Sequence, residues 1–220
     1  MVIHESEGVD VGSVQVSMRP GPNEHGQEAI LVAAAEAFMR SGYNGTSIDD
    51  IADLLASTKG RIYHYFRSKA DIYLAIVSTI ISDMLEEISA IAESEGTPTD
   101  RLFRMAHRHV RLLQARPAFS RVALMHTEGY VVSGLRQEDA QNQIAAIRSD
   151  YEARFRDVVA EGVEAGEFRE VDVRLATKPL LGALNWLALW YRDDVDESDA
   201  EHVAAELATF VVHGLRQGLA

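Results

Sequence analysis

The stretch TSIDDIADLLASTKGRIYHYFRSK, Thr46 to Lys69, decides how this chain is read. Thr46 and Asp49 have the T-x-x-D spacing of a capping box, which satisfies orphan amides at a helix start. Ile48, Ile51, Ala52 and Leu55 follow at i, i+3, i+4 and i+7, the buried face of a short amphipathic helix. Ala56-Ser57 leaves room only for a tight turn. Thr58 is placed to cap a second helix running to about Tyr65, and Ser68 with Asp71 forms another capping box that starts a longer helix. Ile62 and Phe66 point inward on the second helix, while Thr58, Lys59, Arg61 and His64 are left outside. From Ser57 to Lys69 there are four cations, Lys59, Arg61, Arg67 and Lys69, and no acid, in a chain whose formal charge is −13. A basic island on a helix-turn-helix within an acidic protein suits the major groove of duplex DNA, which is about 12 Å wide.

The segments AFMRSGYNGTSIDDIA and KGRIYHYFRSKADIY, and above all Tyr63-His64-Tyr65-Phe66 followed by Ser68-Lys69, resemble the TetR family of bacterial transcriptional regulators. The resemblance runs from Ala29 to Ala75. It implies an all-α homodimer with an N-terminal three-helix DNA-binding head and a C-terminal helical body for ligand binding and dimerisation. It also implies a double-stranded, pseudo-palindromic operator as partner. The expected DNA-contacting set is Thr46, Ser47, Thr58, Lys59, Gly60, Arg61, Tyr63, His64, Tyr65 and Lys69. Thr46 and Ser47 would offer hydroxyls or amides to phosphate, and Lys69 would reach phosphate from the start of the fourth helix. One position departs from the family pattern: Ala56 stands where the turn usually has Gly, which at positive φ costs about 1 kcal/mol.

Three segments follow from these signals. Residues 1–23 hold Gly8, Gly12, Pro20, Gly21 and Pro22 without periodicity and read as a flexible arm, with Arg19 outweighed by Glu5, Glu7 and Asp10. Residues 24–75 form the head. Its first helix spans about Glu24 to Arg40, with Ile30, Ala34, Ala37 and Phe38 inward and Gly42 at its C-terminal end. Residues 76–220 form the body. The fourth helix runs from Lys69 to about Glu95 on Ile76, Ile80, Met84, Ile88 and Ile91. Thr97-Pro98 opens the next helix and Pro117 the one after. A loop at Gly129–Gly134 precedes a long helix from about Gln137 to Ala165. Two further helices span about Asp172 to Tyr191 and Ser198 to Gln217, with a solvated acidic loop from Asp193 to Glu197 between them.

The helix containing LLGALNWLALWY is apolar nearly all round, interrupted by Asn185, so it is expected to be buried on every side. Leu184, Leu187 and Tyr191, with Val203, Leu207, Phe210 and Gly214 on the last helix, are the expected homodimer interface. A single helix-turn-helix reads few base pairs, and paired half-sites lie about 34 Å apart.

Arg101, Arg104, Arg108 and Arg111 form a stripe on one helix in a stretch without acids. One reading pairs them with acidic neighbours such as Glu86, Glu87 and Glu93, or Asp150, Glu152 and Asp157. The other gives Arg104, Arg108 and Arg111 to an anionic effector, with Tyr151, Phe155, Trp186 and Trp190 around its apolar part. ALNWLALWYR and KGRIYHYFRSKADIY are similar to the branch of the family that senses acyl-CoA thioesters. A neutral, hydrophobic or drug-like ligand is the alternative.

Composition excludes several classes. With no Cys there is no disulfide framework and no thiolate nucleophile. No apolar run reaches the ~18–20 residues of a membrane span, and no signal peptide is evident, so a cytoplasmic protein without a membrane partner is expected. His107 and His109 are two apart and would point about 200° apart on one helix, so they do not share a metal. H-x-x-x-H, G-x-S-x-G, G-x-G-x-x-G and P-loop patterns are absent, so neither an enzyme nor a cofactor is expected. A helical enzyme remains as a remote rival, and a purely structural oligomer as another, which leaves Lys59, Arg61 and His64 without a purpose.

Overall fold

The computed structural model describes residues 24–125, 135–191 and 196–216. The arm at 1–23, the loop at 129–134, most of the acidic loop and the chain end beyond 216 lie outside these residues. The described elements are α1 (Glu24–Gly45), α2 (Ile48–Leu54), α3 (Lys59–Tyr65), α4 (Lys69–Ala92), α5 (Pro98–Ala115), α6 (Pro117–Met125), α7 (Leu135–Glu164), α8 (Val173–Asn185), α9 (Leu187–Trp190) and α10 (Glu197–His213). One antiparallel bridge, Phe168 to Arg216, is the non-helical pairing among the described residues. The fold is all-α, as expected.

In the head, α1, α2 and α3 share a core of Ile30, Ala34, Ala37, Phe38, Ile51, Ala52, Ile62 and Phe66. Gly42 has φ 72° and ψ 162°, so helical geometry breaks there although the helical run is counted on to Gly45. Ala56 has φ 46° in the α2–α3 turn. The chain therefore accepts a left-handed alanine where glycine would be unstrained.

The first capping box sits one residue later than its sequence spacing suggests. Ser47, not Thr46, is the N-cap of α2: its Oγ accepts from the amide of Asp50 at 3.1 Å, and Asp50 Oδ2 accepts from the amide of Ser47 at 2.7 Å. Thr46 is only 3% exposed. Its hydroxyl turns back to the carbonyls of Gly42 at 2.8 Å and Ala37 at 3.1 Å. The last carbonyls of a helix need donors, and a buried hydroxyl is best satisfied by supplying one. Thr58 and Ser68 cap α3 and α4 as their positions predict.

α4 runs unbroken from the head into the body, so the boundary drawn at 75/76 is a point within a helix. Its Ile76, Ile80, Met84 and Ile88 are buried, and it packs on α5, α6 and α7. Thr97 caps α5 with Pro98 in the first turn. The apolar segment predicted as one helix is divided at Trp186 into α8 and α9. Asp196, which the sequence places in a solvated loop, is the N-cap of α10, accepting from the amide of Asp199 at 2.9 Å.

The body is not buried on every side of α8 and α9. Leu180, Leu184, Leu187 and Tyr191 fill the core of the single chain. Trp186 is 62% exposed, and Trp190, Leu175 and Leu189 are also outside. On α10, Phe210 is 69% exposed, Gly214 is exposed, and Val203 and Leu207 are half-buried. Of the seven expected interface residues, Leu184, Leu187 and Tyr191 are therefore core. Here Leu180, Leu184, Leu187 and Tyr191 take the inner side, while Trp186, Leu189 and Trp190 stay outside.

Candidate functional site

α3 presents its cations outward because Ile62, fully buried, fixes the rotation of the helix. Thr58, Lys59, Gly60, Arg61, Tyr63 and His64 are all exposed. Lys59 pairs with Asp49 on α2 at 3.2 Å, both side chains being largely solvated. His64 meets the Tyr65 ring edge-on. Tyr65 is half-buried and rests on α1 at Gly26, where an added Cβ would lie 2.4 Å from the phenol oxygen. Gly26 thus leaves room for the end of the Tyr65 side chain against α1, and no local pattern in the sequence signals it. Gly60 has open space at its missing Cβ apart from Thr58 Oγ1 at 3.8 Å, leaving bare backbone on the outer surface.

Two of the expected DNA contacts are committed elsewhere. The Thr46 hydroxyl faces the protein interior, as described above. Lys69 Nζ donates to the carbonyls of Tyr43 at 2.6 Å and Thr46 at 2.7 Å, and stands 4.3 Å from the centre of the Tyr43 ring. Burial holds its pKa below the usual lysine value, partly offset by Asp50. A lysine that satisfies two carbonyls of the α1–α2 junction acts as a tie between elements rather than a free phosphate ligand.

The arginine stripe is also committed. Arg104 donates to the carbonyl of Glu95 at 2.6 Å. Arg108 meets Glu87 through two bonds of 2.5 and 2.8 Å, and this partner holds its pKa above the ordinary guanidinium value. Arg111 pairs with Glu197 and Glu201 on α10, and Arg101 with Glu161 on α7. Arg104, Arg108 and Arg111 do not line the body cavity, and Trp186 and Trp190 lie on the outer surface. Helix-to-helix ion pairing accounts for Arg108 and Arg111, whereas Arg104 is held by the backbone carbonyls of Glu95 and Asp100 and borders a separate hollow between α5 and α10.

The body cavity, of about 310 Å³, lies among α4, α5, α6, α7 and α8. Ile80, Ile81 and Met84 of α4, Leu113 of α5, Ala123 and Leu124 of α6 and Leu181 of α8 make its walls apolar. Polar groups converge on it from four helices: His109, Ser120, Arg148, Tyr151, Glu152, Lys178 and Asn185. Few placed polar groups in an apolar hollow is the usual design of a small-molecule site. Tyr151, one of the residues assigned to a ligand from the sequence, lines this cavity. Phe155 stands behind it, with ring centroids 5.5 Å apart, and meets His109 edge-on at 6.2 Å. His109 Nδ1 and the Tyr151 hydroxyl are 2.6 Å apart, and both residues are buried. Burial pushes the His109 pKa down to about 4, with the Asn185 amide partly opposing, and pushes the Tyr151 phenol well above 10. Arg148 donates to the carbonyl of Ala123 at 2.9 Å, with its pKa lowered by burial. Lys178, an exposed side chain of the lining, meets Glu152 at 3.3 Å. Among the polar lining residues, Asn185 carries a sequence signal of its own, as the one amide inside an apolar run.

A helix-turn-helix with an outward basic helix, carried on a helical body that holds an apolar cavity, defines a DNA-binding transcriptional regulator with a site for a small effector. Residues 95–215 match the tetracyclin repressor-like C-terminal domain, and residues 30–76 match the bacterial regulatory proteins of the tetR family. The chain belongs to the TetR family. It is similar to the fatty acid metabolism regulator protein of Bacillus subtilis (strain 168), 25% identical over 169 residues, covering 75% of this chain and 83% of that protein. It is also similar to the TetR family transcriptional regulator PfmR from Thermus thermophilus, whose crystal structure superposes with a TM-score of 0.72 at 30% identity over 86% of this chain and 99% of that one. The fold is shared with AibR, crystallised in complex with isovaleryl coenzyme A and operator DNA, at a TM-score of 0.71 and 21% identity over 87% and 98% of the two chains. Among the described residues, no helix is long and apolar enough to cross a membrane.

Proposed function

We propose that this protein is a cytoplasmic, non-catalytic homodimeric repressor, and that an acyl-CoA thioester entering the body cavity releases it from its operator. The observation that carries the proposal is the dual position of α4. Its first turn holds the α1–α2 junction through Lys69, and its middle lines the cavity through Ile80 and Met84. An effector that favours one position of α4 thereby favours one placement of α3, and only differential affinity for the two placements shifts operator binding.

On DNA, Lys59, Arg61 and His64 supply base or phosphate contacts, Tyr63 and the bare backbone at Gly60 approach the sugar–phosphate chain, and Ser47 lies at its flank. Two α3 helices from a dimer joined through Trp186, Leu189, Phe210 and their neighbours would read half-sites about 34 Å apart. The acyl group would occupy the apolar part of the cavity, and the charged end would have to draw Lys178 away from Glu152. AibR, named above with isovaleryl coenzyme A, and the fatty acid regulator of Bacillus subtilis support this choice of effector.

A second reading, a neutral hydrophobic effector, is favoured by the ion pairing of Arg108 and Arg111, which weakens the arginine stripe as an argument for CoA. Titrating the protein–operator complex separates the two. Acyl-CoAs should release DNA at lower concentration than the corresponding free acids. Equal release by free acids and neutral analogues would leave the cavity as a hydrophobic site and remove CoA from the account.

A further inference from the structure

His109 Nε2 is a buried polar atom without a hydrogen-bond partner, on a side chain that lines the body cavity. His109 itself has no exposed surface. Orphaned buried donors are uncommon because each one costs the hydration it has lost. The Asn185 amide lies near enough to act on the imidazole but leaves Nε2 unbonded. The proton arrangement follows from the contact on the other ring nitrogen. If Nδ1 carried a proton and donated to Tyr151, the phenol would need a second acceptor for its own proton, and Nε2 would still be bare. No second partner for the Tyr151 hydroxyl is found among the described hydrogen bonds. With the phenol donating to Nδ1, a single orphan remains, the Nε2–H. The imidazole and the phenol are both neutral at physiological pH, given their opposite displacements by burial. The pair therefore offers one uncharged donor beside the aliphatic walls of the cavity.

We propose that His109, oriented by Tyr151, donates from Nε2 to a neutral carbonyl oxygen of the effector, so that the cavity selects a thioester, ester, amide or ketone over the same skeleton without that oxygen. This rests on the cavity being the effector site. An acceptor is required because Nε2–H has nothing to accept. A neutral one is favoured because an ionised carboxylate would lose its hydration here and find no charge on His109, while the lining cations Arg148 and Lys178 already hold the Ala123 carbonyl and Glu152. Carbonyl oxygens accept from a buried N–H at little cost once the apolar remainder of the molecule has already left water.

The test uses two probes that differ by the one oxygen: octanoyl-CoA and the thioether S-octyl-CoA, each titrated into the intact protein by calorimetry. The expected result is that the thioester binds about 10- to 100-fold more tightly. In His109→Leu the two should bind alike, and Tyr151→Phe should narrow the gap. Should His109→Leu fold poorly, the wild-type comparison stands alone, supported by the 15N signal of the His109 Nε2–H, which should move with octanoyl-CoA and not with S-octyl-CoA. Equal affinity of the two probes for the wild-type protein overturns the carbonyl site and leaves the acyl-CoA reading intact. Binding of neither overturns the acyl-CoA reading and this assignment with it.

Discussion

Lys69 Nζ donates to the carbonyl of Thr46 at 2.7 Å, joining the first turn of α4 to the residue before the N-cap of α2. The same ammonium serves the Tyr43 carbonyl, so one side chain couples the helix that crosses the body to the helix-turn-helix. Hydrogen bonds to charged groups contribute about 1.5–3 kcal/mol each when partly shielded. Lys69→Met keeps the aliphatic stem and removes the donors. We expect it to lower stability by about 1–3 kcal/mol in urea unfolding and to reduce the effect of effector on operator affinity. An unchanged midpoint together with undiminished effector response would show that the tie is incidental.

Arg61 is exposed on α3 and forms no ion pair among the described residues, so it is the cation most available to a base. Arg61→Ala should cost about 1–3 kcal/mol of operator binding if it reads a base edge, measured by fluorescence anisotropy at fixed salt. Undiminished affinity would take Arg61 out of the interface.

Lys59 differs from Arg61 because Asp49 already holds it at 3.2 Å. A phosphate has to compete with that carboxylate, which also repels DNA. Asp49→Asn should therefore strengthen operator binding, by about 0.2–1 kcal/mol, with the gain fading as salt rises. Weaker binding in the variant would mean that Asp49 positions Lys59 for DNA instead of withholding it.

Substitutions on the last helices should divide by side. Phe210→Glu and Trp186→Glu place charge on exposed positions and should yield folded monomers by sedimentation, because the unpaired carboxylate resists burial at a subunit interface. Leu184→Glu puts the same charge at a position with no exposure, so it should impair folding of the chain itself. A dimer that survives both surface changes would place the interface elsewhere.

His109 gives the stability a specific pH dependence. Its folded pKa is about 4, below the unfolded value near 6.5. As pH falls below 6.5, the unfolded chain takes up a proton that the folded protein refuses, so stability declines until the native histidine also protonates near pH 4. The full contribution is present above pH 6.5 and amounts to about 3 kcal/mol for a shift of this size. His109→Gln should flatten this part of the profile in denaturant titrations between pH 4 and 7. Parallel profiles for the two proteins would contradict a neutral buried imidazole.

The head is legible in the sequence because local rules govern it. Capping residues, the i, i+4 pair Ile62 and Phe66, and the run of cations each act within a turn or two, and α2, α3 and α4 fall where those signals put them. The error at Thr46 is a one-residue ambiguity between two hydroxyls, Thr46 and Ser47, both followed three residues later by an aspartate. Only the ending of α1, with its carbonyls in need of donors, separates them. The body is legible as helices but not as a site. Arg108 and Glu87 are distant in sequence, and so are Arg111 and Glu197, so periodicity shows a stripe without showing its partners. His109 draws attention in the sequence only through its spacing from His107; its role depends on Tyr151, which a different helix brings to it.

The central claim is that occupancy of the α4–α8 cavity moves the DNA-reading helix. The direct test is octanoyl-CoA titrated into the complex with an operator duplex selected in vitro, followed by anisotropy, for the wild-type protein and for Leu181→Trp, which fills the cavity from α8 without touching the head. The wild-type complex should dissociate with rising ligand, and the variant should bind the same operator but resist release by at least about tenfold in ligand concentration, the equivalent of about 1.4 kcal/mol. Equal release from both proteins would contradict the account, since the effector would then act from somewhere other than this cavity.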